Sequence, residues 1–328
     1  MELFTAVESP KGFPLIHHRH RLMLMGSCFA THIGAKLTAA KFTCEVHPYG
    51  VLYNPCSIAT ALRELMDGKC YTETDLYEHR GLWHSPMHHS DFSAATPGEA
   101  LERINRRIDR ARKALPVTDF LLLTWGTAYV YRTLPAQGGM IVGNCHQRPE
   151  SDFVRQRIEV EEVINEYRQL LHRLWNVHPA LQVILSVSPI RHRRDGLHAN
   201  QLSKAILLLA ADRLCQEFPG QVHYFPSYEL LMDELRDYRF YADDLVHPST
   251  SAIELVWERF TQRCFTQETK SLIGQCEEIT RALAHRPLHP DSVEYKHFLG
   301  QIVLKIERLH EKFPYLDFEK EIELCRTR

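Results

Sequence analysis

Short, almost wholly apolar runs alternate along the chain with longer segments of amphipathic spacing. Residues 119–125 and 182–188 are the clearest strands, and neither run leaves a polar face for solvent. Strands of this kind are typical of the middle of a parallel sheet that is covered on both faces. Shorter strands are predicted at 21–25, 43–47 and 221–225, and a hairpin at 129–142.

Helical spacing fills the segments between these strands. Residues 28–41 carry Phe29, Ile33 and Leu37 four positions apart, which is one face of a helix. Further helices are predicted at 57–67, 97–115, 153–177, 200–218, 227–235 and 249–266. Strands that alternate with helices of this length indicate βαβ units and an α/β fold. After residue 267 no strand pattern remains, so the end of the chain is predicted to be helical.

Composition narrows the function classes. The 328 residues include 39 Lys and Arg and 41 Asp and Glu. The chain therefore lacks the basic excess that is typical of a general nucleic-acid binder. The longest apolar runs are far shorter than the roughly 20 residues that span a bilayer, so we expect no membrane partner. Nine cysteines without framework spacing, and an N-terminus without signal-peptide character, favour a cytoplasmic location.

The turn at Gly26-Ser27 is the first candidate for chemistry, because ligands of parallel sheets bind at the carboxyl ends of strands. Ser27 has a structural interpretation as a helix N-cap. It has a functional one as a nucleophile, with helix N–H groups available for an oxyanion. Cys28 is a rival nucleophile, or a small core residue.

A serine nucleophile needs a base, and the spacing Asp-x-x-His occurs twice, at Asp195…His198 and Asp244…His247. The first pair runs into a Gly-containing turn, which favours a structural role. The second lies directly before a predicted helix. Asp244 can accept a hydrogen bond from His247 Nδ1 and leave Nε2 to take the serine proton. The alternative is an exposed histidine in an ordinary turn.

The segment Met25-Gly-Ser-Cys-Phe-Ala30 resembles the signature of the GSCFA-domain family, which is similar to the SGNH/GDSL hydrolases. Stretches at 48–55, 126–131, 189–192, 224–228 and 244–249 also look like this family. The resemblance implies a three-layer α/β/α, SGNH-hydrolase-like (flavodoxin-like) domain over residues 1–267. A helical extension, residues 268–328, is then expected to pack on it.

The resemblance also assigns site residues. It implies Ser27, Asp244 and His247 as the catalytic residues, with Ser27 and Gly50 N–H groups in the oxyanion hole. The family of hydrolases places an asparagine two residues after a glycine, whereas this chain has Gly126-Thr127-Ala128. Either Thr127 or Asn144 is therefore expected to supply the missing donor.

Several histidines lie in loops that are predicted near the carboxyl ends of the strands. A metal site is conceivable, but ligand spacings such as HExxH are absent, so we expect neither a metal nor another cofactor. The residues expected to bind an anionic or hydroxyl-rich substrate are His88, His89, His146, Arg191 and His192.

Together these features predict a serine esterase or acyl transferase that acts on an O-acylated small molecule or carbohydrate. The alternative is a catalytically weak or inactive SGNH-like protein that binds a small molecule or carbohydrate. The absent Gly-x-Asn amide favours the alternative.

Overall fold

Strands of three separate sheets make up the β-structure of the computed structural model, which describes residues 5–8, 12–285, 287–289 and 292–328. Within that part of the chain the strands are β1 (Leu22–Gly26), β2 (Cys44–Val46), β3 (Tyr77–His79), β4 (Leu82–His84), β5 (Phe120–Trp125), β6 (Tyr129–Thr133), β7 (Ile141–Val142), β8 (Phe153–Arg157), β9 (Gln182–Val187) and β10 (Val222–Tyr224).

Helices connect these strands and form the end of the chain. They are α1 (Cys28–Ala39), α2 (Pro55–Asp67), α3 (Pro97–Ala114), α4 (Val160–Val177), α5 (Leu197–Glu217), α6 (Ser227–Glu229), α7 (Thr250–Cys264), α8 (Gln267–Ala284), α9 (Val293–Lys312) and α10 (Glu319–Thr327). A π-helical turn, Leu230–Glu234, continues α6.

The central sheet has five parallel strands in the order β2-β1-β5-β9-β10. Counted among themselves these are strands 2-1-3-4-5, the flavodoxin-like order of doubly wound α/β folds. Side chains alternate between the two faces. Met25 and Leu123 pack into a core with α2, α4 and α5, whereas Leu24 and Leu122 pack into a second core with α1 and α7. The predicted three-layer α/β/α class is confirmed.

One predicted helix is partly wrong. Residues 153–157 form strand β8 rather than the first turns of a helix, and they pair antiparallel with β6. Helix α4 begins only at Val160, where Glu159 and Glu162 form a capping box. Strands β7, β6 and β8 make a small antiparallel sheet inserted between β5 and α4. We call residues 129–157 the insertion.

Helices α8 to α10 enclose a third apolar core, which includes Leu272, Ile306 and Leu316. An ion pair of 2.7 Å between Lys41 Nζ and Glu321 Oε1 joins α10 to the segment after α1. The domain division predicted after residue 267 falls at the first residue of α8 and stays a prediction. In the described ranges, no helix combines the length and the apolar character that a bilayer crossing requires.

Candidate active site

The turn between β1 and α1 presents Ser27. This residue occupies the N-cap of α1, yet its side chain makes no capping hydrogen bond. Its Oγ is buried and has no hydrogen-bond partner within the described residues. Gly26 has φ +138°, and a Cβ there would overlap the Thr124 carbonyl, so only glycine fits the turn. The N-cap interpretation therefore does not account for the hydroxyl.

Ser27 lines a cavity of about 780 Å³ at the carboxyl ends of β1, β5 and β9. Thr127 and Ser188, which follow β5 and β9, line it with Ser27. The loop before α7 contributes Asp244 and His247. The insertion forms much of the remaining wall through Tyr129, Tyr131, Asn144, His146, Arg148 and Arg155. The structure thus brings all three predicted catalytic residues to one cavity.

Asp244 and His247 form a hydrogen-bonded pair, with His247 Nδ1 2.6 Å from Asp244 Oδ2. Asp244 Oδ1 accepts the backbone N–H groups of Val246 and His247 at 2.9 Å each. These hydrogen bonds, the one from the His247 ring above all, lower the pKa of Asp244 to about 2. The carboxylate therefore holds the ring through Nδ1 and leaves Nε2 for proton transfer. No hydrogen bond joins Nε2 to Ser27 Oγ in this part of the structure.

Two of the predicted oxyanion donors are already engaged. The N–H of Ser27 donates to Thr124 O at 3.0 Å, as a continuation of the β1–β5 ladder. The N–H of Gly50 donates to His47 O at 2.9 Å, and Gly50 does not line the cavity. The assignment of Gly50 to the oxyanion hole is therefore corrected. A turn hydrogen bond consumes the only donor that this glycine has.

Asn144 and Thr127 do reach the cavity. Asn144 Oδ1 accepts the N–H of His146 at 2.8 Å, which leaves its Nδ2 donor for a ligand. Thr127 Oγ1 accepts the N–H of Tyr129 at 3.1 Å and lies 3.2 Å from Ser203 Oγ. Of the two predicted substitutes, Asn144 is therefore the one whose side-chain donor no described residue engages.

The predicted substrate-binding histidines divide into two groups. His146 and His192 line the cavity with Arg191, and burial lowers the pKa of each histidine to about 4, so both are neutral. His88 and His89 do not line it. His88 is fully buried and its ring stacks on Tyr49 with centroids 4.5 Å apart. For His88 and His89 the predicted substrate contact is corrected.

The structure also places the residues that the sequence offered as alternatives to Ser27 and to the Asp244–His247 pair. Cys28 lines the cavity, but burial raises the pKa of its thiol, which disfavours the nucleophilic thiolate. Asp195 lines the cavity in an ion pair with Arg155, while His198 is exposed and outside it. Among the described residues no group of three or more His, Cys, Asp or Glu is arranged to hold a metal ion.

Comparison with known proteins assigns the family. The model of the GSCFA family matches residues 21–260, and that of the GSCFA C-terminal domain matches residues 276–328. The chain belongs to the GSCFA family. No curated protein sequence matches it.

Two solved structures resemble this GSCFA chain at low similarity. One is a protein from Streptococcus pneumonia provisionally described as a platelet activating factor, with 11% identity, 75% of this chain and 84% of that chain covered, and a TM-score of 0.38. The other is an acetyl xylan esterase from the rumen bacterium Butyrivibrio proteoclasticus, with 9% identity, 76% and 64% covered, and a TM-score of 0.37. Family membership rests on the family models alone.

A further charged group of the GSCFA chain, Lys204, contacts the lining residue Ser188 and was not singled out by the sequence patterns. Lys204 of α5 is buried, and its Nζ donates to Gly126 O at 2.5 Å and to Ser188 O at 2.6 Å. It thereby ties together the ends of β5 and β9. Burial lowers the pKa of Lys204 to about 7. Its position directly before the apolar run 205–211 is the signal that could have identified it.

Proposed function

We propose that this chain is a serine hydrolase of the SGNH type, an esterase or acyl transferase that acts on an O-acylated small molecule or carbohydrate. One observation supports this most directly. Ser27, whose Oγ is buried and has no partner among the described residues, lines the same cavity as His247, and the Asp244 carboxylate holds Nδ1 of His247. A cavity of about 780 Å³ is also within the size range of small-molecule sites.

In the proposed reaction, Ser27 Oγ attacks the acyl carbonyl while His247 Nε2 accepts the serine proton. The Ser27–His247 hydrogen bond then forms with substrate present, as catalytic hydrogen bonds often tighten in the Michaelis complex. The Asn144 amide and the N-terminal turn of α1 stabilise the oxyanion. His247 returns the proton to the departing alcohol, and water or a second alcohol releases the acyl group.

A second candidate is a binding protein with the same cavity and weak or no catalysis. The observation that favours it is the engaged state of the Ser27 and Gly50 N–H groups, together with Ala128 at the usual asparagine position. Loss of one oxyanion donor typically lowers turnover by about 100- to 1000-fold.

Labelling by a fluorophosphonate probe separates the two candidates, because only an activated serine reacts with it. We expect the wild type to label and to hydrolyse 4-nitrophenyl acetate, and Ser27→Ala to lose both with its fold intact by circular dichroism. Cys28→Ala is the matched control on the next residue and should retain both. A folded wild type that neither labels nor turns over supports the binding protein. Loss of activity in Cys28→Ala alone would indicate a thiol nucleophile.

A further inference from the structure

Arginines dominate the charged lining of the cavity. Five of them face three carboxylates, those of Glu150, Asp195 and Asp244. The arginines are Arg148, Arg155, Arg191, Arg193 and Arg194. The lining histidines His146 and His192 are neutral and do not add to this charge, since burial lowers the pKa of each to about 4. The formal balance of the lining is therefore positive.

Three of the five arginines are neutralised by a carboxylate. Arg155 pairs with Asp195, Arg194 pairs with Glu150, and Arg148 Nη2 lies 2.8 Å from Asp152 Oδ2. The carboxylate of Asp244 is engaged by His247 and two backbone N–H groups.

Arg191 and Arg193 differ from the other three. Neither has a carboxylate within ion-pair distance in the part of the chain that the structure describes. Among the described residues, the Arg191 guanidinium has one weak polar contact, 3.8 Å from Nη2 to Met232 Sδ. Arg193 Nη1 donates to the backbone carbonyl of Asp244 at 3.3 Å, which places it beside the residue that orients His247. Both cations thus belong to the segment after β9 and line the cavity, and Arg193 contacts the residue that holds the proposed catalytic base.

We propose that Arg191 and Arg193 form an anion subsite, and that the substrate is an ester carrying a carboxylate or phosphate group. The ester part rests on the proposed function; the anion site does not. Guanidinium groups present paired donors that match both oxyanions, and hydrogen bonds between ions are stronger than neutral ones. A neutral, hydroxyl-rich ligand would leave both charges without a counter-ion in the cavity.

Binding of two simple anions tests the subsite independently of catalysis. Inorganic phosphate and succinate are titrated into the intact protein at low ionic strength and followed by calorimetry. We expect at least one anion to bind and the double variant Arg191→Met/Arg193→Met to weaken it by about 10-fold or more. Arg194→Met is the matched control, because Arg194 lines the same cavity but already has a carboxylate partner. The more tightly bound anion distinguishes phosphate from carboxylate.

A pair of esters tests the link to catalysis. 4-Nitrophenyl hemisuccinate and 4-nitrophenyl butyrate are similar in length and differ by one carboxylate. We expect kcat/KM to favour the hemisuccinate, and the double variant to lower that preference by about 10-fold. The subsite is refuted if neither anion binds, or if Arg194→Met weakens binding as much as the double variant does. A wild type that binds an anion but hydrolyses no ester would retain the subsite and reject the esterase.

Discussion

Replacing Lys204 with methionine removes a buried titrating group from beneath the cavity. In the wild type, burial lowers the pKa of this amine from 10.5 to about 7. Between these two values the unfolded chain binds a proton that the folded chain does not. The stability contribution of Lys204 is therefore greatest above pH 10.5 and is lost as the pH falls through the folded pKa near 7. Wild-type stability should rise with pH across this window.

The magnitude follows from the two pKa values. Each unit of pKa difference between the folded and unfolded chain corresponds to about 1.4 kcal/mol. Between about pH 7 and about pH 9 the contribution of Lys204 to the free energy of unfolding therefore changes by about 2 kcal/mol. Methionine cannot titrate, and the other ionisable groups are common to both proteins. The absolute effect of the substitution combines two opposed terms, because it removes a buried charge but leaves the Gly126 and Ser188 carbonyls without their donor. The pH dependence isolates the amine.

Urea unfolding of both proteins at the two pH values measures this difference. We expect the stability of the wild type relative to Lys204→Met to increase by about 2 kcal/mol at the higher pH. A relative stability that stays constant within about 0.5 kcal/mol would mean that Lys204 keeps its proton in the folded state, so that the two carbonyls outweigh burial. A relative stability that decreases as the pH rises would contradict a lowered pKa of Lys204 in the folded state.

Three other substitutions address the proposed base, the cavity wall and the turn. Asp244→Asn should lower kcat for 4-nitrophenyl acetate by orders of magnitude, up to about 10⁴-fold. The reason is that the carboxylate no longer fixes the tautomer of His247 that leaves Nε2 free to accept a proton. Asp195→Asn should act mainly on KM or thermal stability, and equal losses of kcat for the two variants would contradict this division of roles. Gly26→Ala should cost on the order of 3 kcal/mol, since it combines a positive φ with a clash against Thr124. An unchanged melting temperature for Gly26→Ala would show that the turn can relax.

The parts of the fold that the sequence predicts well are those with local causes. Strands β5 and β9 are mostly apolar because both faces of the sheet are covered, and Gly68 ends α2 in the left-handed conformation. The serine turn and the Asp244–His247 pair were also readable, since each depends on residues close together in the chain. These features needed no knowledge of distant partners.

Three features were missed, and two of them depend on distant partners. Strand β8 exists because β6 pairs with it across the insertion, and nothing within residues 153–157 separates it from the helix that follows. Gly50 stands where an oxyanion donor was expected, but its N–H is consumed by His47 O. His88 was expected to bind substrate, but its ring packs between the aromatic side chains of Tyr49, Tyr71 and Phe92. Tertiary contacts determined the outcome for β8 and His88, and a local turn hydrogen bond determined it for Gly50.

The wall of the cavity comes from two different parts of the chain, the connections of the central sheet and the insertion. Ser27, Asp244 and His247 come from the connections of the central sheet, whereas Asn144 and Arg155 belong to residues 129–157, which leave that sheet after β5 and return to it at α4. The part of the wall that the insertion forms is thus a module that joins the rest of the domain at two points. Exchanging it between family members would replace the ligand-facing side chains and the proposed oxyanion donor Asn144, and would keep Ser27, the Asp244–His247 pair and the Arg191–Arg193 pair in place. This part of the cavity wall can therefore diverge between family members without any change to the central sheet.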